Sequence, residues 1–419
     1  MKSRFTLILV LIFSPFLLFS QGEWTVYSKD KLNAGSLKTG NYTRNFCEDN
    51  TGTLWVSTSK GGILQFSDNN WELYDVRKIS FLFGQSDAAN IINAKTGTTC
   101  DWFTALDNNG KYVWFGASKG VVLWTGKDML EMTGVTDDNK RMIFHSNAKD
   151  EYYVITNTGT QKYNVPESFE KKPVIQISSV LTDMKNRLWL GQWEGLVYCL
   201  EDGKWRVYED LNKVKLEVKE KHGYRRVHKI FEDAGGDIWF LTYTGVAKYK
   251  DGKISIIKHV LYPKAIYQDS KKNIWIAHES GIEQFDGTNW KSYERDEDKG
   301  MRYFMNEAKF LEDKNGNLWF SSRTDFATRK GGGLYLLEGE EWKDMKCEKY
   351  HTNIHEDKNG TLWCTGMRGI YQYKDGEFKK LRQSEGFATF YFEMFEDSKG
   401  NIWFGTSTVG GHIEMYSPN

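Results

Sequence analysis

Several features are scarce in this chain, and each scarcity excludes something. Proline occurs only five times in 419 residues, so a Pro-rich linker or a disordered spacer is not expected. Cysteine also occurs five times, at Cys47, Cys100, Cys199, Cys347 and Cys364. That odd number without CxxC spacing describes neither a disulfide scaffold nor a zinc site. There is no excess of charge, since Lys plus Arg and Asp plus Glu each total 56. Nothing in that balance points to nucleic acid or a membrane surface as partner. After residue 20 no apolar run approaches the roughly 20 residues that a membrane helix needs. A Gly-x-Ser-x-Gly elbow, a phosphate loop and a dinucleotide fingerprint are missing too.

What the chain has in quantity is aromatic side chains: 16 Trp, 22 Tyr and 25 Phe. With so little proline, they fit a strand-rich protein that places large rings between sheets. Residues 1–20 stand apart. Lys2 and Arg4 precede an apolar run over 7–19, and Ser20-Gln21 follows. That order describes a secretory signal peptide, which leaves 21–419 as a mature protein in the periplasm or outside the cell. No membrane insertion is expected once the signal has been cleaved.

The mature chain is organised by one recurring stretch, Glu312-Asp313-Lys314-Asn315-Gly316-Asn317-Leu318-Trp319-Phe320. Near-copies occupy 48–55, 232–239, 356–363 and 396–403, and looser ones end at Trp189 and Trp275. The pattern Asp-x-x-Gly-x-(Leu/Ile)-Trp reads as strand, tight turn, strand. The Gly suits a left-handed turn position, and the Asp carboxylate can turn back onto N–H groups of the turn. Trp55, Trp114, Trp189, Trp239, Trp275, Trp319, Trp363 and Trp403 mark eight units as structural, interior residues. A weaker unit with Tyr153 in the Trp place lies between Trp114 and Trp189. Four short strands per unit predict a single closed all-β propeller. The Tyr153 unit has its own hairpin, Gly and spacing, so nine blades are expected, with eight as the alternative.

The last unit ends after its third strand, while Gly22-Glu23-Trp24-Thr25-Val26-Tyr27 looks like an orphan fourth strand. The N-terminal strand should therefore complete the last blade and close the ring. Longer segments, over 76–99, 210–225, 294–302, 322–331 and 381–386, all fall on connections that emerge from one face. Function usually sits on such loops.

The repeats resemble those of the two-component regulator propeller family. Glu396-Asp397-Ser398-Lys399-Gly400-Asn401-Ile402-Trp403-Phe404-Gly405-Thr406 follows the family pattern almost position by position. The resemblance implies a sensor-type propeller, of the kind that forms periplasmic regions of membrane-bound regulators, often responding to glycans. No membrane helix, kinase or DNA-binding segment follows in this chain, so an output domain of its own is not expected.

The Glu-Asp pairs do not form a catalytic dyad, because adjacent strand residues point to opposite faces. His351 and His355 are four apart, a spacing that converges on a helix but not on a strand. No catalytic residue, metal ligand or cofactor is assigned. The candidates for ligand binding are side chains that break the repeat in the connections between second and third strands: Trp193, Tyr243, His278, Arg323 and Arg368. A core aromatic should recur, and Trp193 does not; an exposed ring of this kind can stack on a sugar, with Arg supplying charged hydrogen bonds. The expected function is recognition of an oligosaccharide or an extracytoplasmic protein. The alternative is a propeller lyase or hydrolase acting on a polysaccharide, with groups drawn from several blades.

Overall fold

The computed structural model describes residues 22–28, 43–49, 51–58, 62–75, 103–106, 113–117, 120–125, 129–135, 142–146, 149, 151–156, 159–164, 177–193, 195–201, 204–209, 211, 226–294, 308–322, 332–345, 347, 351–366, 369–374, 376–383, 391–406 and 412–418. Residues 1–20, Cys100, Arg323 and Arg368 lie outside the described residues, as do 76–99, 210, 212–225, 295–302, 323–331 and 384–386 of the long segments and the Trp114 side chain.

Local chemistry explains the strand–turn–strand unit. In Asp313 one carboxylate oxygen, Oδ1, accepts the backbone N–H groups of Asn315 and Asn317, each at 2.9 Å. The other, Oδ2, accepts the indole N–H of Trp319 at 2.9 Å and the amide of Asn317. One side chain thus fixes the turn and aims the ring. The same indole bond recurs at 2.8–2.9 Å from Trp55, Trp189, Trp239, Trp275, Trp363 and Trp403. Gly316 and Gly400 hold φ values of 80° and 85°, as the left-handed turn position requires. In the two looser copies Asn186 and Lys272 occupy that position at φ 59° and 68°.

Each turn feeds an antiparallel sheet whose strands run outward in chain order. Blade 1 begins with Thr43–Glu48, blade 2 with Phe103–Leu106, blade 3 with Ile177–Thr182 and blade 4 with Val227–Glu232. Blades 5 to 8 begin with Ala265–Gln268, Ala308–Glu312, His351–Glu356 and Tyr391–Glu396. Every one of these first strands touches the first strand of both neighbouring blades, so they form a closed inner ring of eight.

The ring therefore has eight blades, not the nine favoured from the repeat count. The Tyr153 hairpin is the reason. Met142–Ser146 pairs with Met129–Val135, Met142 opposite Val135 and Ile143 opposite Gly134. Glu151–Thr156 and Gly159–Lys162 then extend the same sheet, giving blade 2 seven strands where the others have four. Ile177–Thr182 packs directly beside Phe103–Leu106, which leaves no place for a ninth inner strand. Tyr153 is only half-buried, and the fully buried Phe144 packs with it against blade 3.

Closure is as expected. Glu23–Tyr27 pairs with Ile413–Ser417 as the fourth strand of blade 8, Trp24 opposite Tyr416 and Val26 opposite Glu414. Gly22 N–H donates to the Tyr416 hydroxyl at 3.1 Å.

Between blades the core is aromatic. The turn-linked Trp residues, 0–2% exposed wherever the side chain is described, each press on the next sheet. Trp189 meets Tyr249, Trp319 meets Tyr373, Trp363 meets Tyr416 and Trp403 meets Phe66, with ring centroids 5.0–5.2 Å apart. Cys364 is buried in this core, and its Sγ lies 3.2 Å from that of Cys347 without a disulfide.

A second polar link joins neighbouring blades, and it uses the other half of the Glu-Asp pair. In six blades the backbone N–H after the turn Asp donates to an acidic or amide side chain of the next blade. Met184 donates to Glu232, Ala234 to Gln268, Ser270 to Glu312 and Lys314 to Glu356. Lys358 donates to Glu396, and Ser398 to Glu48 across 350 positions of sequence. The Glu-Asp pairs are thus structural.

Two outcomes are expected. Deleting residues 22–28 removes the fourth strand of blade 8 and should lower the thermal midpoint well beyond the effect of an exposed substitution; coincident melts would contradict closure by this strand. The second concerns acid. Burial opposes the Asp313 charge, yet hydrogen bonds from Trp319, Asn317 and Asn315 outweigh it and hold the carboxyl below its ordinary 3.8. A depressed folded value adds stability that is present above the unfolded value and lost as pH falls through the folded one. Asp313→Asn would turn an amide N–H toward the indole N–H or leave the turn without its acceptor. It should cost about 1–3 kcal/mol at pH 7 and less at pH 3, by denaturant unfolding. An equal loss at both pH values would rule out the charged acceptor.

Candidate functional site

The connections between second and third strands bring two of the proposed residues into one cluster. Trp193 sits in the tight turn after Leu188–Gln192, where Gln192 N–H bonds Leu196 O and Gly195 N–H bonds Gln192 O. Tyr243 occupies the turn between Ile238–Thr242 and Gly245–Lys250 of the next blade. Both lie on the face opposite the Asp-x-x-Gly turns.

The connection entering blade 5 crosses the same face and ties the Tyr243 turn to blade 5. Tyr262 N–H donates to Tyr243 O at 3.0 Å, Glu279 N–H reaches Leu261 O, and Lys264 N–H donates to Ala277 O at 2.6 Å. Leu261 is 53% exposed. Tyr262 holds φ at 51°, a left-handed conformation that costs a bulky residue about 1–2 kcal/mol. Strain of this kind persists only where surroundings impose it, and it collects at ligand sites.

Aromatic and cationic groups alternate through the cluster. The Arg226 guanidinium lies 4.2 Å from the Trp193 ring centroid. The Tyr243 ring is 5.7 Å from His228 and 5.2 Å, edge-on, from Tyr262. Lys264 Nζ sits 5.3 Å from the Tyr262 ring. Burial pushes the His228 imidazole down to about 3; a hydrogen bond to Pro263 O opposes this, and the charges of Arg226, Lys264 and Lys229 add to it. His228 is therefore neutral at physiological pH. Its Nε2 faces a carbonyl and so carries the proton, which leaves Nδ1 as an acceptor.

Three nitrogen atoms in this cluster are buried without a hydrogen-bond partner among the described residues: Trp193 Nε1, Arg226 Nε and His228 Nδ1. Buried polar atoms are normally paired, and each unpaired one is costly. Two are donors and one is an acceptor, a mixture that a hydroxyl-rich ligand can satisfy.

His278 lies beside the connector entering blade 5, but its side chain meets Glu283. It is 8% exposed at the end of Ile274–His278, with Nε2 3.6 Å from Glu283. Glu283 also receives Lys258 Nζ at 3.1 Å and Ser292 Oγ at 2.8 Å. Glu414 repeats the arrangement with Arg382, His412 at 2.9 Å and the Tyr391 hydroxyl at 3.0 Å. Each set ties the third strand of a blade to the fourth strand of the blade before it, so both pairs serve packing. His355, with Nε2 3.5 Å from Glu396, is pushed down to about 4, by burial first and by Lys309 second. Among the described residues no three His, Cys, Asp or Glu side chains converge to hold a metal.

Arg226, His228, Leu261, Tyr262 and Lys264 were not singled out from sequence. The connection over 259–264 is short, so it does not stand out as an insertion. Leu261-Tyr262-Pro263, apolar where a polar turn is usual, was the available signal.

The family model described as two component regulator propeller matches residues 36–60 and 386–408. No curated protein sequence matches the chain significantly. Among solved structures, a catalytically inactive virginiamycin B lyase from Staphylococcus aureus is 12% identical, with 95% of this chain and 99% of that one aligned and a TM-score of 0.45. The extracellular domain of a hybrid two component system from B. thetaiotaomicron is 14% identical over 92% of this chain, TM-score 0.34, and the chain spans 57% of its length. YCF48 from Cyanidioschyzon merolae is 10% identical over 94% of this chain and 98% of that one, TM-score 0.45. The matched repeats contain the Glu-Asp turns of blades 1 and 8, where the ring closes. Residues 36–60 and 386–408 thus carry two component regulator propeller repeats, one at each end of the ring-closing contact.

Proposed function

We propose that the protein is a secreted or periplasmic recognition propeller that binds an oligosaccharide on the face formed by Trp193, Arg226, His228, Tyr243 and Tyr262. Residues 1–20 act as the export signal, and 21–419 act as the recognition module. The observation that carries the reading is the set of three unpartnered buried nitrogens beside aromatic rings. Sugars present apolar ring faces for stacking and hydroxyls that both donate and accept, which is the chemistry this cluster leaves unmet. The exposed Leu261 and the strained Tyr262 mark the rim. Arg323 and Arg368 fall in sequence between the second and third strands of blades 6 and 7 and lie outside the described residues.

The test is a glycan array on the mature protein, followed by affinity and melting curves for Trp193→Ala and Tyr262→Asn. Losing a central aromatic should weaken binding about thirtyfold, equivalent to about 2 kcal/mol. Asn tolerates the left-handed conformation, so Tyr262→Asn should leave stability within about 1 kcal/mol while affinity falls. Unchanged affinity in both variants would move the site off this face. An array without a hit, alongside a captured extracytoplasmic protein, would replace the sugar with a protein partner.

A further inference from the structure

Two thiols meet where blade 6 packs on blade 7. Cys347 lies just past Glu341–Asp344, the fourth strand of blade 6, in the connection that leads to His351–Glu356. Cys364 stands in Leu362–Gly366, the second strand of blade 7, opposite Ile354 on one side and Tyr371 on the other. Their Sγ atoms are 3.2 Å apart, across 17 positions of sequence. Cys347 packs with Met345 against a core cluster that contains Cys364 and joins Trp319 and Leu334 of blade 6 to Ile354 and Leu362 of blade 7.

Packing alone does not call for sulfur at either place. Cys364 directly follows the turn-linked Trp363, and every other repeat Trp is followed by Val, Leu, Ile or Phe. The two thiols also differ in access: Cys347 is half-buried, whereas Cys364 is 1% exposed. Cys199 shows the contrasting case. It is enclosed in the core between blades 3 and 4, where burial pushes its thiol up to about 12, which makes it a poor nucleophile.

We propose that Cys347 and Cys364 become joined by a disulfide in the exported protein, and that this bond clamps blade 6 to blade 7. The place of oxidation rests on residues 1–20 acting as an export signal; the pairing itself does not. The oxidant is another disulfide, such as glutathione disulfide or that of a thiol oxidoreductase in an oxidising compartment. The accessible Cys347 gives up its proton, and its thiolate attacks the oxidant's S–S bond to form a mixed disulfide, expelling one thiolate. Cys364 then loses its proton and attacks Cys347 Sγ, with which it is already in contact, expelling the second thiolate. The two protein thiols have lost two electrons and two protons, and the oxidant has become two thiols. The loop so closed holds the whole first strand of blade 7, which restricts the unfolded chain and opposes parting of the two blades.

The test exposes reduced, purified protein to glutathione disulfide, alkylates the remaining thiols under denaturing conditions and maps the peptides without reduction. The expected result is one linked peptide pair, Cys347 to Cys364, lighter by two hydrogens and absent from Cys347→Ser and Cys364→Val. Valine is the residue at the matching Val56 of blade 1, so Cys364→Val keeps an apolar core. Oxidised wild type should melt several degrees above reduced wild type, a difference that both variants lose. In a Gram-negative host, chain made with residues 1–20 should carry the link, and chain lacking them should arrive reduced. Absence of the link in oxidised purified protein, or equal linkage of either thiol to Cys47, Cys100 or Cys199, would overturn the pairing. Coincident melts of oxidised and reduced wild type would overturn the clamp. A link that forms in the purified protein but is missing from full-length chain made in cells would sink the export reading alone.

Discussion

A carboxylate with two separately employed oxygens sets the geometry of each regular blade. One oxygen of the turn Asp collects the backbone N–H groups of the Asp-x-x-Gly loop; the other receives the Trp indole six residues on. A short antiparallel hairpin is marginal by itself in water. Here the same group that closes the turn also fixes the orientation of a ring that fills the space to the next sheet. Local turn chemistry and long-range packing are thereby coupled through one side chain, and seven blades use it. Arg187 shows how the motif tolerates variation: its Nε joins Trp189 on Asp183 Oδ2 where other blades place an Asn amide.

Much of the fold was legible because that chemistry is local. The Gly at positive φ, the Asp acceptor and the buried Trp are all properties of a nine-residue window, and they recur. Closure was legible too, since Trp24 to Tyr27 lacked a partner and blade 8 lacked a strand. Blade number was not, because the Tyr153 hairpin differs from a blade in pairing rather than in pattern. Its Phe144 lies opposite Met132 of the preceding strand, and no local signal separates an outer strand from an inner one. Nor does the pattern show that the indole N–H reaches the Asp, although the constant six-residue interval contained that information.

The site was legible only in part, for a different reason. Trp193 and Tyr243 drew notice because they break the repeat, and the structure places both on one face. Their neighbours Arg226 and His228 sit at the entry of a blade, and Leu261 and Tyr262 in a short connector, where irregular residues are ordinary. Convergence of such groups depends on the radial arrangement of blades 3, 4 and 5, which no spacing records. His278 broke the repeat for structural reasons, as a partner of the buried Glu283.

The central claim is that the blades form one continuous ring, linked by turn amides that donate to the next blade, with Ser398 to Glu48 as the link across the chain ends. Met184, Lys314, Lys358 and Ser398 are exposed, and outside such a ring their amides would exchange with solvent almost freely. Native-state hydrogen exchange on the intact protein tests this most directly. The account predicts that the amides of Met184, Ala234, Ser270, Lys314, Lys358 and Ser398 are protected together, with a common opening free energy near that of global unfolding. Fast exchange at these positions, independent of one another and of global stability, would contradict it.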